Sequence, residues 1–230
     1  METKSTLQTF SIPIAIVIAG AFIAGAIFFA TSRSSSGSAA LGAQPTQAQA
    51  PAGPTTDQLE KVRPITKDDH ILGDPNALVK IVEFSDPECP FCKIFQGTMH
   101  KAVKEYNGNV AWVYRQFPLD QLHPKSRKET EATECANELG GNDKFWTYLD
   151  RLFEVTPSNN GLDPAQLPQI AKEVGLDVAR FNTCLSSGKY AQHIQDNVDE
   201  ATATGGNGTP WSIVIAQNGK KFPLSGAQPY

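Results

Sequence analysis

The sequence predicts an α/β domain carried behind an apolar N-terminal segment. Two observations point to the domain: short apolar runs suited to buried strands, and stretches with apolar residues three and four apart that suit helices. The third observation is the Ile12–Ala30 run. No Asp, Glu, Lys or Arg lies between Lys4 and Arg33. A helix over that run would be about 28 Å long at 1.5 Å per residue, close to the ~30 Å hydrocarbon core of a bilayer. It runs on past the ~7–15 apolar residues of a secretory signal, so an uncleaved single-pass anchor is expected at 12–30, after a short tail at 1–11, a cleaved signal being the alternative. The 20 Lys and Arg against 24 Asp and Glu leave no basic footprint, and nucleic acid is not an expected partner.

The elements follow in order. Residues 31–58 hold Ser, Ala, Gly, Pro and Gln with no aromatic or β-branched apolar side chain. They are expected to form a disordered linker with an r.m.s. reach of about 30 Å. The folded domain is expected at 59–230. Leu78–Phe84 suits a buried strand. From Pro90 the spacing of Phe91, Ile94, Phe95, Met99, Ala102, Val103 and Tyr106 predicts a helix, opened by a proline at its first turn and closed at Asn107-Gly108. Val110–Phe117 is a second strand. A helical block spans about 124–204, with breaks at Gly140-Gly141, Pro157–Gly161 and Gly175. Trp211–Ala216 and Lys220–Leu224 flank Gln217-Asn218-Gly219 as a β-hairpin. Strand, helix, strand, helical block and hairpin is the order of a thioredoxin fold with an inserted helical domain.

Chemistry concentrates on four cysteines. Cys89-Pro90-Phe91-Cys92 stands where a strand feeds a helix. A cysteine there meets the free N–H groups and positive dipole end of the helix, which stabilise its thiolate. A thiol of low pKa is also a good leaving group, so thiol–disulfide exchange is the expected chemistry, with Cys92 resolving the mixed disulfide. A zinc site would need a second closely spaced pair. Cys135 and Cys184 are far apart, and His70, His100, His123 and His193 are scattered, so no metal is expected.

The segment Glu83-Phe84-Ser85-Asp86-Pro87-Glu88-Cys89-Pro90-Phe91-Cys92-Lys93, preceded by Gly73-Asp74-Pro75-Asn76-Ala77, resembles the active-site region of the DsbA-like thiol–disulfide oxidoreductases. Tyr114–Leu119, Lys144-Phe145-Trp146, Gly208-Thr209-Pro210 and Gly226–Tyr230 extend the resemblance over about 65–230. It implies a thioredoxin fold with a helical insertion, acting on exported proteins outside the cytoplasm. It implies that Cys89 attacks, that Cys92 resolves, and that Glu83 handles protons for the inner cysteine. In the apolar strand run, burial would raise the Glu83 pKa; an outward-facing strand carboxylate is the alternative. Thr209 and Pro210 match a cis-proline loop that pairs with substrate backbone.

The sequence also departs from the family. Phe91 stands where the best-known oxidases carry histidine, and it can give the Cys89 thiolate neither charge nor a hydrogen bond. By the resemblance, a last helix covering the sheet would follow Tyr230. Cys135 and Cys184, an even pair in an exported domain, are expected to form a structural disulfide, two buried thiols being the alternative. His123, in a loop after the second strand, is within possible reach of the dithiol but reads as a bystander. The expectation is thus a membrane-anchored, monomeric oxidoreductase with its catalytic domain on the extracytoplasmic side. It would need no cofactor beyond its dithiol and would oxidise unfolded exported proteins with free thiols. A membrane partner would reoxidise it. The alternatives are a reductase, an isomerase, or a tethered holdase with structural cysteines. Family isomerases carry a separate dimerisation domain, for which the linker leaves no room.

Overall fold

The computed structural model describes residues 53–230. The expected span at 12–30 and nearly all of the expected linker lie outside them. Among the described residues no helix is long and apolar enough to cross a membrane.

Ordered structure begins before Leu59, earlier than the sequence suggested. Helix α1 (Thr56–Leu59) is opened by Thr55, whose side chain and that of Gln58 cap each other's backbone N–H groups. This reciprocal capping holds a stretch that composition alone reads as linker. Five strands form one sheet: β1 (His70–Leu72), β2 (Val79–Ser85), β3 (Val110–Gln116), β4 (Trp211–Ile215) and β5 (Lys221–Ser225), in the order β1-β3-β2-β4-β5. Only β2 and β3 pair in parallel, joined by helix α2 (Pro90–Glu105). The edge strand β1 was not foreseen, since three residues are too few for a pattern. Gly73 follows it at φ +100°, where a Cβ would come within 2.9 Å of the Val110 carbonyl oxygen. Pro223 sits in the edge strand β5, where a missing N–H is tolerated.

The helical block resolves into α3 (Ser126–Val155), α4 (Gln166–Glu173), α5 (Val178–Ser187) and α6 (Ala191–Ala203). At the expected Gly140-Gly141 break, α3 kinks rather than ends: Gly141 takes φ +73° inside it. Before the kink, Ala132, Cys135 and Ala136 pack with Leu167, Ile170, Phe181 and Cys184 in the core of the insertion. After it the helix serves two cores: Phe145, Trp146, Leu149 and Phe153 pack on the sheet with α2, while Tyr148 and Leu152 stay in the insertion core. Helix α6 returns to the opposite face, where Ala201 joins Val82, Phe84, Val113 and Trp211. The block expected at 124–204 therefore includes two segments, the second half of α3 and α6, that also carry apolar faces packed on the sheet.

Candidate active site

Strand β2 runs into a turn whose backbone is fixed by Asp86. This fully buried carboxylate accepts hydrogen bonds from Glu88 N (2.8 Å), Leu119 N (2.8 Å), Ser126 Oγ (2.6 Å) and the His123 ring (2.8 Å). His123 thus helps to hold the turn. Glu88 continues the clamp: its carboxylate accepts from Asn160 N at 2.6 Å and its carbonyl from Asn159 N at 2.8 Å. Glu129, pushed up to about 9 by burial and by Glu88 beside it, is protonated at neutral pH. The turn delivers Cys89 to the N-cap of α2, with Pro90 in the first turn of the helix. Across from it the Thr209–Pro210 peptide is cis, and the Cys89 Sγ lies 3.4 Å from the Thr209 carbonyl oxygen. Cys92, one turn into the helix, is fully buried.

The two thiols are driven apart electrostatically. The Cys92 thiol, donating to the Cys89 sulfur, does most to lower the Cys89 pKa. Burial opposes it, the Thr209 side chain and the N–H groups of Cys92 and Phe91 add to it, and the result is about 6. Cys92 is pushed well above the usual thiol range by burial first, then by Cys89 and Glu83. Cys89 is therefore largely thiolate at neutral pH while Cys92 keeps its proton, the division of labour that exchange requires.

Glu83 is 1% exposed, which excludes the outward-facing alternative. It pairs in register with Tyr114 on one side and Ser212 on the other. Burial raises its carboxyl to about 8; the Ser85 and Trp112 side chains oppose that rise and the Cys89 charge adds to it. Glu83 Oε2, Ser85 Oγ, Trp112 Nε1 and Tyr114 Oη all lie buried without a hydrogen-bond partner. The sequence reading missed Ser85, Trp112 and Tyr114. Their signal was the two-residue strand period, which sets Glu83 and Ser85 on one face of β2 and Trp112 and Tyr114 on the matching face of β3. The Glu83 charge is among the causes that raise the Cys92 thiol, which ties this buried carboxyl to the inner cysteine.

Phe91 is 60% exposed, and Ile94 and Leu122 are exposed as well. Cys135 and Cys184 are joined in a disulfide within the insertion core, and Cys89 and Cys92 are free thiols.

The thioredoxin family model matches residues 65–227. Among solved structures, Pseudomonas aeruginosa DsbA2 is 27% identical with a TM-score of 0.63, over 73% of this chain and 91% of that one. The thiol-disulfide exchange protein alpha-DsbA2 from Wolbachia pipientis is 20% identical with a TM-score of 0.58, over 75% of this chain and 84% of that one. Among curated proteins, a Na(+)/H(+) antiporter NhaA 3 from Salinispora tropica is 32% identical over 76% of this chain. The chain spans about a quarter of the length of the curated relatives it matches: 26% in that case. A C-x-x-C at a helix N-cap facing a cis-proline loop, on a sheet of this order, agrees with the family match, and the chain belongs to the thioredoxin family.

Proposed function

We propose that the chain is a thiol–disulfide oxidoreductase that works as an oxidase, donating a Cys89–Cys92 disulfide to exported polypeptides. The observation that carries the reading is the geometry of the C-x-x-C: Cys89 at the N-cap of α2 with its sulfur 3.4 Å from the carbonyl oxygen of the cis Thr209–Pro210 peptide, and Cys92 fully buried one turn on. A substrate thiolate attacks the Cys89 sulfur, the Cys89–Cys92 bond breaks, and Cys92 leaves with the electron pair and takes a proton. Glu83, still protonated at neutral pH, is the nearby acid that supplies it. A second substrate thiolate then attacks the substrate sulfur of the mixed disulfide. Cys89 departs as a stable thiolate, the substrate leaves with a new disulfide, and two electrons remain on the dithiol. The Thr209 backbone beside Cys89 would align the substrate chain as an added strand.

In this reading the domain is monomeric, anchored by the 12–30 segment and held outside the cytoplasm. A membrane redox partner removes the electrons. Phe91, which gives the thiolate no charge or hydrogen bond, favours a second reading as a reductase. The test is to mix the oxidised full chain with a reduced, unfolded protein and follow disulfide formation in the substrate. The reading predicts stoichiometric oxidation that Cys89→Ser abolishes. Equal suppression of substrate aggregation by the wild type and the Cys89→Ser variant, with no disulfide formed by either, would support the holdase instead. Disulfide cleavage in oxidised substrates by the reduced chain, with no net oxidation, would support the reductase.

A further inference from the structure

We propose that His70, Glu134 and His193 bind one divalent transition-metal ion of the zinc type, away from the dithiol. The three residues come from β1, α3 and α6, and their ligand atoms all lie within 4.8 Å of one another. His70 Nε2 is 3.0 Å from each oxygen of Glu134, and Glu134 Oε1 is 3.8 Å from His193 Nε2. Ligands about 2.0–2.1 Å from a tetrahedral ion stand roughly 3.3 Å from each other. The two separations to Glu134 bracket that value, and the two imidazoles, within 4.8 Å of each other, would close on the ion by side-chain movement.

The donors are held in advance. The His70 ring stacks on Phe145 with centroids 3.5 Å apart and planes 8° from parallel. Gln116 Nε2 donates to Glu134 Oε1 at 2.8 Å, and such an outer hydrogen bond orients a ligating carboxylate. The side chains of His70 and Glu134 are almost fully buried, whereas that of His193 is 43% exposed. His70 and His193 line a cleft of about 440 Å³ shared with Asp68 and Asp69 and with Arg63 and Arg115. The cleft gives an ion a way in and leaves room for water as a fourth ligand.

The nearby cations do not compete for Glu134. Arg115 is held by Asp69 and Glu200, and Arg63 by Glu200 and Asn197. An ion would replace the proton through which His70 Nε2 bonds both Glu134 oxygens, and would end the weak 3.4 Å approach of Asn197 Nδ2 to His193 Nε2. Two imidazoles and a carboxylate suit zinc, copper or nickel and suit magnesium and calcium poorly. Bound there, the ion would tie the edge strand to one helix of the insertion and one helix on the far face of the sheet. The alternative is a metal-free His70–Glu134 ion pair, in which His193 has no part.

The test is a calorimetric zinc titration of the tag-free full chain carrying Cys89→Ser and Cys92→Ser, which removes the dithiol as a competing ligand. The proposal predicts one equivalent bound, a rise in Tm with zinc but not with magnesium, and at least tenfold weaker binding after a further His193→Ala. That position is exposed and helical, so alanine leaves the fold in place, to be checked by circular dichroism. Absence of saturable zinc binding would overturn the proposal, as would equal affinity in the His193→Ala variant. Binding seen only when Cys89 and Cys92 are restored would place the metal on the dithiol and overturn it equally.

Discussion

The chain holds two cysteine pairs in opposite settings. Cys89 at a helix N-cap and Cys92 in its first turn, three positions apart, sit beside Glu83 and polar groups without fixed partners. Cys135 and Cys184 lie 49 residues apart among apolar side chains, where the bond joins α3 to α5. The first setting stabilises one thiolate and so makes its disulfide easy to open. The second offers no comparable stabilisation of a thiolate, and its long loop makes the bond worth about 4 kcal/mol in the chain-entropy model. Surroundings, not the bond itself, separate a reagent from a staple.

The largest effect should come from removing the staple. Replacing Cys135 and Cys184 together by Ala should lower stability by up to about 4 kcal/mol, read from denaturant unfolding. The exchange rate below the unfolding transition should stay within about twofold. A comparable loss of exchange in the folded variant would mean that the pairs are not independent.

A smaller effect is expected at Glu83. Glu83→Gln keeps the shape but cannot donate an acidic proton, and should slow opening of the Cys89–Cys92 disulfide by at least tenfold, at the low end for general acid catalysis or just below it. The sign with pH follows from burial, which raises the carboxyl to about 8 in the dithiol form; in the disulfide form the Cys89 charge no longer adds to the rise. Below its pKa the wild-type acid is protonated and useful; above it the proton is lost. The gap between wild type and variant should therefore be widest at low pH and close by about pH 8. A ratio constant across pH would assign Glu83 a purely structural part.

The smallest effect concerns Phe91. Phe91→His places an imidazole beside the thiolate; if it adds ~1.4 kcal/mol of stabilisation to the reduced form, the potential rises by about 30 mV. An unchanged potential would mean that the exposed side chain at this position does not reach the sulfur.

The parts legible in the sequence are those encoded locally. Strand β2, helix α2 and the final hairpin follow from short-range spacing, and the C-x-x-C declares itself by its place between strand and helix. Glu83 was identifiable by resemblance, but its burial depends on strands β3 and β4 closing over it, which no local pattern states. Strand β1 was too short to carry a period. Helix α6 looks like part of the insertion because the sequence does not record which partner an apolar face will meet. The Asp86–His123–Ser126 and Glu88–Asn160 clamps were hidden for a related reason: each joins ordinary polar residues that only the fold brings together.

The most direct measurement is the equilibrium reduction of both pairs in the same sample. The full chain would be held in graded glutathione buffers, quenched with acid, and its thiols trapped and assigned by mass. The account predicts that Cys89–Cys92 is half reduced at a potential above the ~−180 to −210 mV poise of an exporting compartment, while Cys135–Cys184 stays oxidised to below about −300 mV. A Cys89–Cys92 potential near the thioredoxin value of about −270 mV would contradict the donor role, and reduction of the two pairs together would contradict the separation of reagent and staple.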